Sequence, residues 1–246
     1  MVHVLSIAQE VGGVGKTTIT RGLAEAVLDV SILELEASHR LTEYGLVTEA
    51  DAPGIRHFPM RASRAEIEAT GGLAARAELD PVVDALYEIT VPHLADIGAN
   101  TAASFLDMIG EHAEGLRAAD IQLGLLVVLT NDPASLASGA KLLHAAKDWA
   151  GASFAVVNEL RGPVDRELLA PVAGKATLTI LKRFEFEPAT LSVLAGTQLR
   201  GIPALDRRAL ASDFGPAMAL RVMRDLTAFR LAVMQPIKPA ATWLIE

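Results

Sequence analysis

The chain has 246 residues, a formal charge of −8, 51% hydrophobic residues and no cysteine. That length suits a single α/β domain over residues 1–246, and the missing thiols exclude disulfides, thiol catalysis and zinc–cysteine centres. The acidic balance argues against a surface that binds nucleic acid everywhere, and apolar blocks such as 123–129 are far shorter than the ~20 residues of a bilayer-crossing helix, so no transmembrane segment is expected. The first residues hold no basic stretch and soon meet the polar pair Gln9 and Glu10, which does not read as a signal peptide and leaves a cytoplasmic location as the default.

Along the chain, apolar blocks rich in branched residues alternate with longer stretches of helical periodicity. Strands are predicted at 2–8, 31–35, 55–59, 93–97, 124–130, 154–158 and 176–181. The first runs into a glycine-rich loop and then a helix at 17–28. Residues 62–87 read as helix, broken at Gly71 and Gly72 and restarted at Asp80 and Pro81. A helix at 101–112 opens on threonine and serine cap residues, and one at 133–150 opens on Asp132 and Pro133, a cap followed by a first-turn proline. The last, at 216–234, can place Leu220, Met223, Leu226, Leu231 and Met234 on one face. This alternation predicts a three-layer α/β fold, a mostly parallel central sheet of about seven strands with helices on both faces. Charge is uneven: net +3 from Arg200 onward against −11 before it. That asymmetry fits either a solvated basic helix face or a contact surface for DNA, a membrane or a partner.

The string EVGGVGKTT at residues 10–18 joins the first strand to its helix. A polyphosphate cradle needs inward-pointing amides unobstructed by side chains, then a lysine and a hydroxyl at a helix start. Gly12, Gly13, Val14 and Gly15 supply the amides, Lys16 the charge for the β- and γ-phosphates, Thr17 the Mg²⁺ ligand, and Thr18 continues the loop into the helix. A plain glycine turn with a fortuitous lysine is the alternative. The spacing G-x-x-x-x-G-K-[ST] is not met, because its first glycine falls on Glu10, and G-x-G-x-x-G fails at Thr18. VGGVGKTT at 11–18 instead resembles the KGGVGKTT loop of the ParA/MinD superfamily of P-loop ATPases. Val11 stands where that family carries a signature lysine that crosses a nucleotide-sandwich dimer to the partner's phosphates, which a valine cannot do. The resemblance implies ATP and Mg²⁺ as cofactors, slow ATP hydrolysis and a nucleotide-dependent homodimer.

Carboxylates at strand ends are the next candidates for phosphoryl transfer. Glu34 and Glu36, two apart and so on one face of their strand, stand where the family has D-x-D. The resemblance makes Glu36 the residue that orients the attacking water and Glu34 a neighbour of the metal shell; two exposed glutamates at a sheet edge fit the spacing as well. The segment 93–100, HLADIGAN, is an apolar strand ending in an acid and a glycine. Asp96 there would hold a Mg²⁺-bound water and the Gly98 amide would sense the γ-phosphate, or Asp96 caps the helix that follows. DIGAN is similar to the D-x-G-A form of the plasmid-borne StbB and TraL branch, which implies a protein partner in plasmid maintenance or conjugative transfer. Asn158 ends a later strand where the family delivers an asparagine to the adenine edge, and a turn asparagine is the plain alternative.

The six histidines show no metal-ligand spacing and read as ordinary surface or core residues, and Ser135 and Ser138 lack a nucleophile-elbow setting. The end of the chain, with Trp243, can dock on the body or on a partner. The expected function is a nucleotide-dependent switch in plasmid stability, partition or transfer. Rivals are an ATP-dependent metabolic enzyme similar to dethiobiotin synthetase, a nucleotide-binding scaffold without turnover, and a partition ATPase that touches nonspecific DNA through the C-terminal basic face.

Overall fold

Period-two alternation sorts the strand side chains onto two faces of one sheet. In β1 (Val2–Ala8), Val4 and Ala8 enter one apolar cluster while Leu5 and Ile7 enter the other. In a computed structural model of the protein, which describes residues 1–47, 54–62 and 64–246, the remaining strands are β2 (Ser31–Glu36), β3 (Ile55–Pro59), β4 (His93–Ile97), β5 (Ile121–Leu129), β6 (Ala152–Asn158) and β7 (Thr177–Leu181). They pair in the order β3-β2-β4-β1-β5-β6-β7, every pair parallel. Central parallel strands are covered on both faces, so their sequences run apolar throughout. The predicted seven strands all form, each within a few residues of its expected bounds.

One face of the sheet is covered by α3 (Leu73–Tyr87), α4 (Ala102–Ala118), α5 (Pro133–Ala145) and α6 (Arg166–Ala173). The other carries α1 (Lys16–Ala26), α7 (Pro188–Ala195), α8 (Arg207–Phe214) and the long α9 (Pro216–Leu244). A short α2 (Arg64–Ala69) precedes α3. The break between α2 and α3 falls at Gly71 and Gly72, as expected; Ser63, inside the predicted helical span, lies outside the described residues.

Three prolines behave differently from the sequence reading. The helix does not restart at Pro81; α3 runs through it. An interior proline costs about 3 kcal/mol, but Leu79, Val82, Val83 and Leu86 are all buried on the same helix, and each fully buried aliphatic chain contributes about 1.5–3 kcal/mol. Likewise α9 does not stop near Met234 but continues past Pro236 and Pro239 to Leu244. Its buried face is Ala219, Val222, Leu226, Phe229, Val233, Ile237, Ala240 and Leu244, a 3-4 repeat. Leu220 and Leu231, grouped from sequence with Leu226 on one apolar helix face, are exposed. The chain end docks on the body: Trp243 stacks on His3 with ring centroids 4.5 Å apart, and a Cβ at Gly124 would lie 2.6 Å from the indole. Among the described residues no helix is long and apolar enough to cross a membrane.

Candidate functional site

Between β1 and α1 the chain turns through Gly13 and Gly15, at φ of 70° and 98°, conformations open chiefly to glycine. Gln9, fully buried, fixes the start of this loop. Its Oε1 accepts from the Glu10 and Val11 amides at 2.8 and 3.3 Å, while Nε2 donates to Val128 O and Ser135 O, both at 3.0 Å. The loop's carbonyl side is held by the protein as well. Asn158 Nδ2 donates to Val14 O at 2.9 Å, Lys16 Nζ to Gln9 O at 3.2 Å, and the Ile19 amide to Gly15 O at 3.1 Å. Among the described residues, the amides of Gly12 through Thr17 have no backbone acceptor outside α1. A row of unpaired donors at a helix start, carbonyls turned away, has the chemistry to take an anion.

The charges beside this row are buried. Lys16 is 7% exposed and Asp96 2%. Burial pushes the Lys16 ammonium below its ordinary range, against the pull of Asp96 and Glu36, while Arg40 pushes the same way as burial. Burial, with Glu34 and Glu36 adding to it, raises the Asp96 carboxyl to about 6; Lys16 and a hydrogen bond with Thr20 oppose that rise. A carboxyl raised above its ordinary 3.8 favours folding fully below that pH and loses the contribution as pH rises through about 6. Ionising Asp96 at neutral pH therefore works against its burial.

Sequence reasoning placed Glu34 next to the metal shell. It is fully buried on β2, which is not an edge strand, and pairs in register with Asp96 of β4. Its Oε1 accepts from the Arg40 and Leu41 amides at 2.8 and 3.1 Å and its Oε2 lies 2.5 Å from His39 Nδ1. The carboxylate thus organises the segment after β2. Glu36 is partly exposed, with Oε2 3.5 Å from Arg40 Nη2. Gly98 lies directly against it: a Cβ there would sit 2.8 Å from Leu35 O and 3.1 Å from Glu36 Oε2. The Gly98 amide, expected to face the γ-phosphate, instead donates to Leu35 O at 2.7 Å, adding one rung to the β2–β4 ladder.

Thr17 and Thr18 lie half-buried on the first turn of α1. Among the described residues no cluster of three His, Cys, Asp or Glu could hold a metal. Mg²⁺ needs no such cage, since it keeps waters and takes phosphate oxygens plus one or two protein ligands; the Thr17 hydroxyl and the Asp96 carboxylate are a suitable pair. Asn158, expected at a base edge, has its amide nitrogen on Val14 O and its Oδ1 accepting from the Leu160 amide at 3.2 Å. Val11, where the resemblance puts a lysine, is partly buried against the apolar cluster of the α1–α9 face.

Sequence reasoning missed Gln9, Thr20 and Arg161. A polar residue closing an apolar strand signals Gln9, and the spacing of four from Lys16 puts Thr20 on the same face of α1. Arg161 carries no sequence signal; only the turn after β6 brings its Nη2 to 3.6 Å from a Cβ position at Gly13. Ser135 and Ser138 act as supports: Ser135 Oγ accepts from the Thr130 amide at 3.1 Å and Ser138 Oγ donates to Glu10 Oε2 at 2.9 Å. His39 and His57 flank the acids, with His57 Nε2 2.9 Å from Glu36 O.

No protein-family model matches the sequence, and no curated protein matches it. Among solved structures, a ParA family ATPase from Chlorobium tepidum TLS is similar over 100% of this chain and 98% of its own, with a TM-score of 0.53 and 15% identity. A plasmid partition protein from Borrelia burgdorferi follows at 0.44 and 11%, covering 76% of this chain and 90% of its own. The MinD cell division protein of Aquifex aeolicus stands at 0.40 and 15%, covering 92% and 96%. The chain has the fold of the ParA family ATPase: a seven-stranded parallel sheet between two helix layers.

Proposed function

We propose that this chain is a ParA/MinD-like P-loop ATPase of one domain that binds Mg-ATP at residues 12–18 and acts as a nucleotide-dependent switch in plasmid stability, partition or conjugative transfer. The observation that carries the reading is the unpaired amide row of Gly12 to Thr17 beside two buried opposite charges, Lys16 and Asp96. Burying both charges costs stability in the free protein, and a polyphosphate with its cation would offset that cost.

In this reading the Lys16 ammonium, desolvated and anchored on Gln9 O, contacts the β- and γ-phosphate oxygens. Thr17 and Asp96 hold Mg²⁺, which when bound neutralises charge on the phosphates. Glu36 orients the attacking water, because it is partly exposed and its charge acts on both Lys16 and Asp96. Glu34 holds the segment after β2 instead of touching the metal, since both its oxygens are engaged by residues 39–41. Asn158 positions the loop through Val14 O and reads the base only by giving up that bond. A nucleotide-dependent homodimer and a protein partner from a plasmid system complete the proposal. A contact with nonspecific DNA through the C-terminal arginines is narrowed by their pairing, of Arg221 with Glu187 at 2.8 Å, Arg224 with Asp225 at 3.1 Å and Arg230 with Glu25. One observation favours a second reading, a nucleotide-binding scaffold without turnover: Val11 offers no charge to a partner's phosphates.

Calorimetric titration with Mg-ATP at pH 7.5 and pH 5 tests the function. One site per chain is expected, with affinity about tenfold weaker at pH 5, because a carboxyl near 6 must lose its proton before it can serve the metal. Asp96→Asn should flatten that pH step. No heat from either adenine or guanine triphosphate contradicts the function; an unaltered pH step in Asp96→Asn removes Asp96 from it.

A further inference from the structure

We infer that Arg161 is a second cation for the bound polyphosphate, supplied from the same chain by the turn after β6; this rests on the loop at 12–18 being a polyphosphate site. The exposed crest of that loop is Gly13, and a Cβ there would lie 3.6 Å from Arg161 Nη2. The guanidinium therefore already borders the unpaired amides.

The backbone beneath this side chain is firmly held. The turn Glu159–Arg161 is capped by Asn158, the same residue that grips Val14 O, so turn and phosphate loop share one support. Asn131 Nδ2 donates to Arg161 O at 2.9 Å, the Gly162 amide donates to Glu159 O at 2.9 Å, and Glu159 Oε2 pairs with Lys182 at 3.1 Å. The head group is held loosely by comparison. Its ion pair is with Asp132 Oδ2 at 3.5 Å, and the side chain is 49% exposed. Asp132 has a separate duty, since its Oδ1 caps α5 by accepting from the Ala134 amide at 2.9 Å.

A guanidinium has five donors in a planar fork suited to phosphate oxygens, and among the described residues only one is committed here, at a long distance. Lys16 and a bound Mg²⁺ would together still leave part of a triphosphate's charge uncompensated. Arg40, the cation on the opposite side of Lys16, is turned toward Glu36. Arg161 thus combines a fixed base, a loosely held head and a place at the rim.

Titrations of magnesium tripolyphosphate and of Mg-ATP, on wild type, Arg161→Ala, Arg161→Lys and Asp132→Asn, test this. Arg161→Ala is expected to weaken both ligands about tenfold, with Arg161→Lys between it and wild type. Asp132→Asn keeps a cap acceptor and frees the guanidinium, so it should bind both ligands at least as tightly as wild type. Tripolyphosphate affinity unchanged in Arg161→Ala overturns the inference, whether or not ATP weakens; a loss for ATP alone would mean the arginine meets the nucleoside. Equal weakening by Asp132→Asn and Arg161→Ala also overturns it, because the pair would then be a brace for the turn. Wild type that binds neither ligand instead rejects the phosphate-loop reading itself.

Discussion

Lys16→Ala is expected to lower Mg-ATP affinity by about 100-fold or more while the protein remains folded. Hydrogen bonds to charged groups contribute about 1.5–3 kcal/mol, more in a site shielded from water, and about 3 kcal/mol corresponds to about 100-fold. The fold should survive because the lysine's burial is a cost in the free protein and its hydrogen bond is to a single carbonyl, Gln9 O. The loss has a second origin. Lys16 holds the Asp96 carboxyl down against burial, so its removal moves that group above about 6 and leaves less carboxylate for the metal at neutral pH. Calorimetry alongside a thermal melt separates binding from folding, and affinity within about threefold of wild type contradicts the role of Lys16. In a plasmid-bearing host the same variant should raise plasmid loss or lower transfer; unchanged frequencies of both would remove the plasmid role while leaving nucleotide binding intact.

Gly15→Ala should be the most damaging single-methyl change in the loop. Gly15 has φ 98°, and a Cβ there would sit 2.4 Å from Asn158 Nδ2, a buried group bonded to Val14 O. Backbone strain of about 1–2 kcal/mol adds to a broken buried hydrogen bond of about 1–3 kcal/mol, so a loss near 3 kcal/mol in denaturant unfolding is expected, with no measurable ligand binding. The double variant Gly15→Ala/Asn158→Ala removes the collision and keeps the strain together with the loss of the Asn158 hydrogen bonds, which is counted once instead of twice. It should be less destabilised than the sum of the two single variants by about 1–2 kcal/mol. Strict additivity would show that Asn158 and the loop do not meet in solution.

Much of the architecture can be read in the chain because its signals are local. Strands such as β1 and β5 are apolar runs with alternating destinations, and the glycine loop sits where strand turns to helix. Three things were not legible. Pro81 looks like a restart and Pro236 and Pro239 look like stops, yet the helices run through them because their buried faces outweigh the local penalty. Leu220 and Leu231 fit one helical stripe as well as the true one, and only packing against α1 and the sheet selects Ala219, Val222 and Leu226. Short helices α6 and α8 have aspartate caps, Asp165 and Asp206, each accepting an amide two residues on, but too little length to give a periodic pattern.

The site divides in the same way. Lys16 and Asp96 lie close to one another, since parallel neighbours β1 and β4 place a loop and a strand end side by side. Gly98 and Asn158 have partners far off in sequence, and Glu34 is taken up by the turn just after its own strand; each is engaged by the protein instead of facing outward. No spacing rule predicts a hydrogen bond across 144 residues, such as that from Asn158 to Val14.

The most direct measurement is amide NMR of the protein titrated with Mg-ATP. Large shifts confined to the amides of Gly12 through Thr17, with smaller ones at Asp96, are the predicted result. Shifts absent from those amides at saturating ligand, or concentrated elsewhere on the surface, would contradict the cradle on which the proposed function stands.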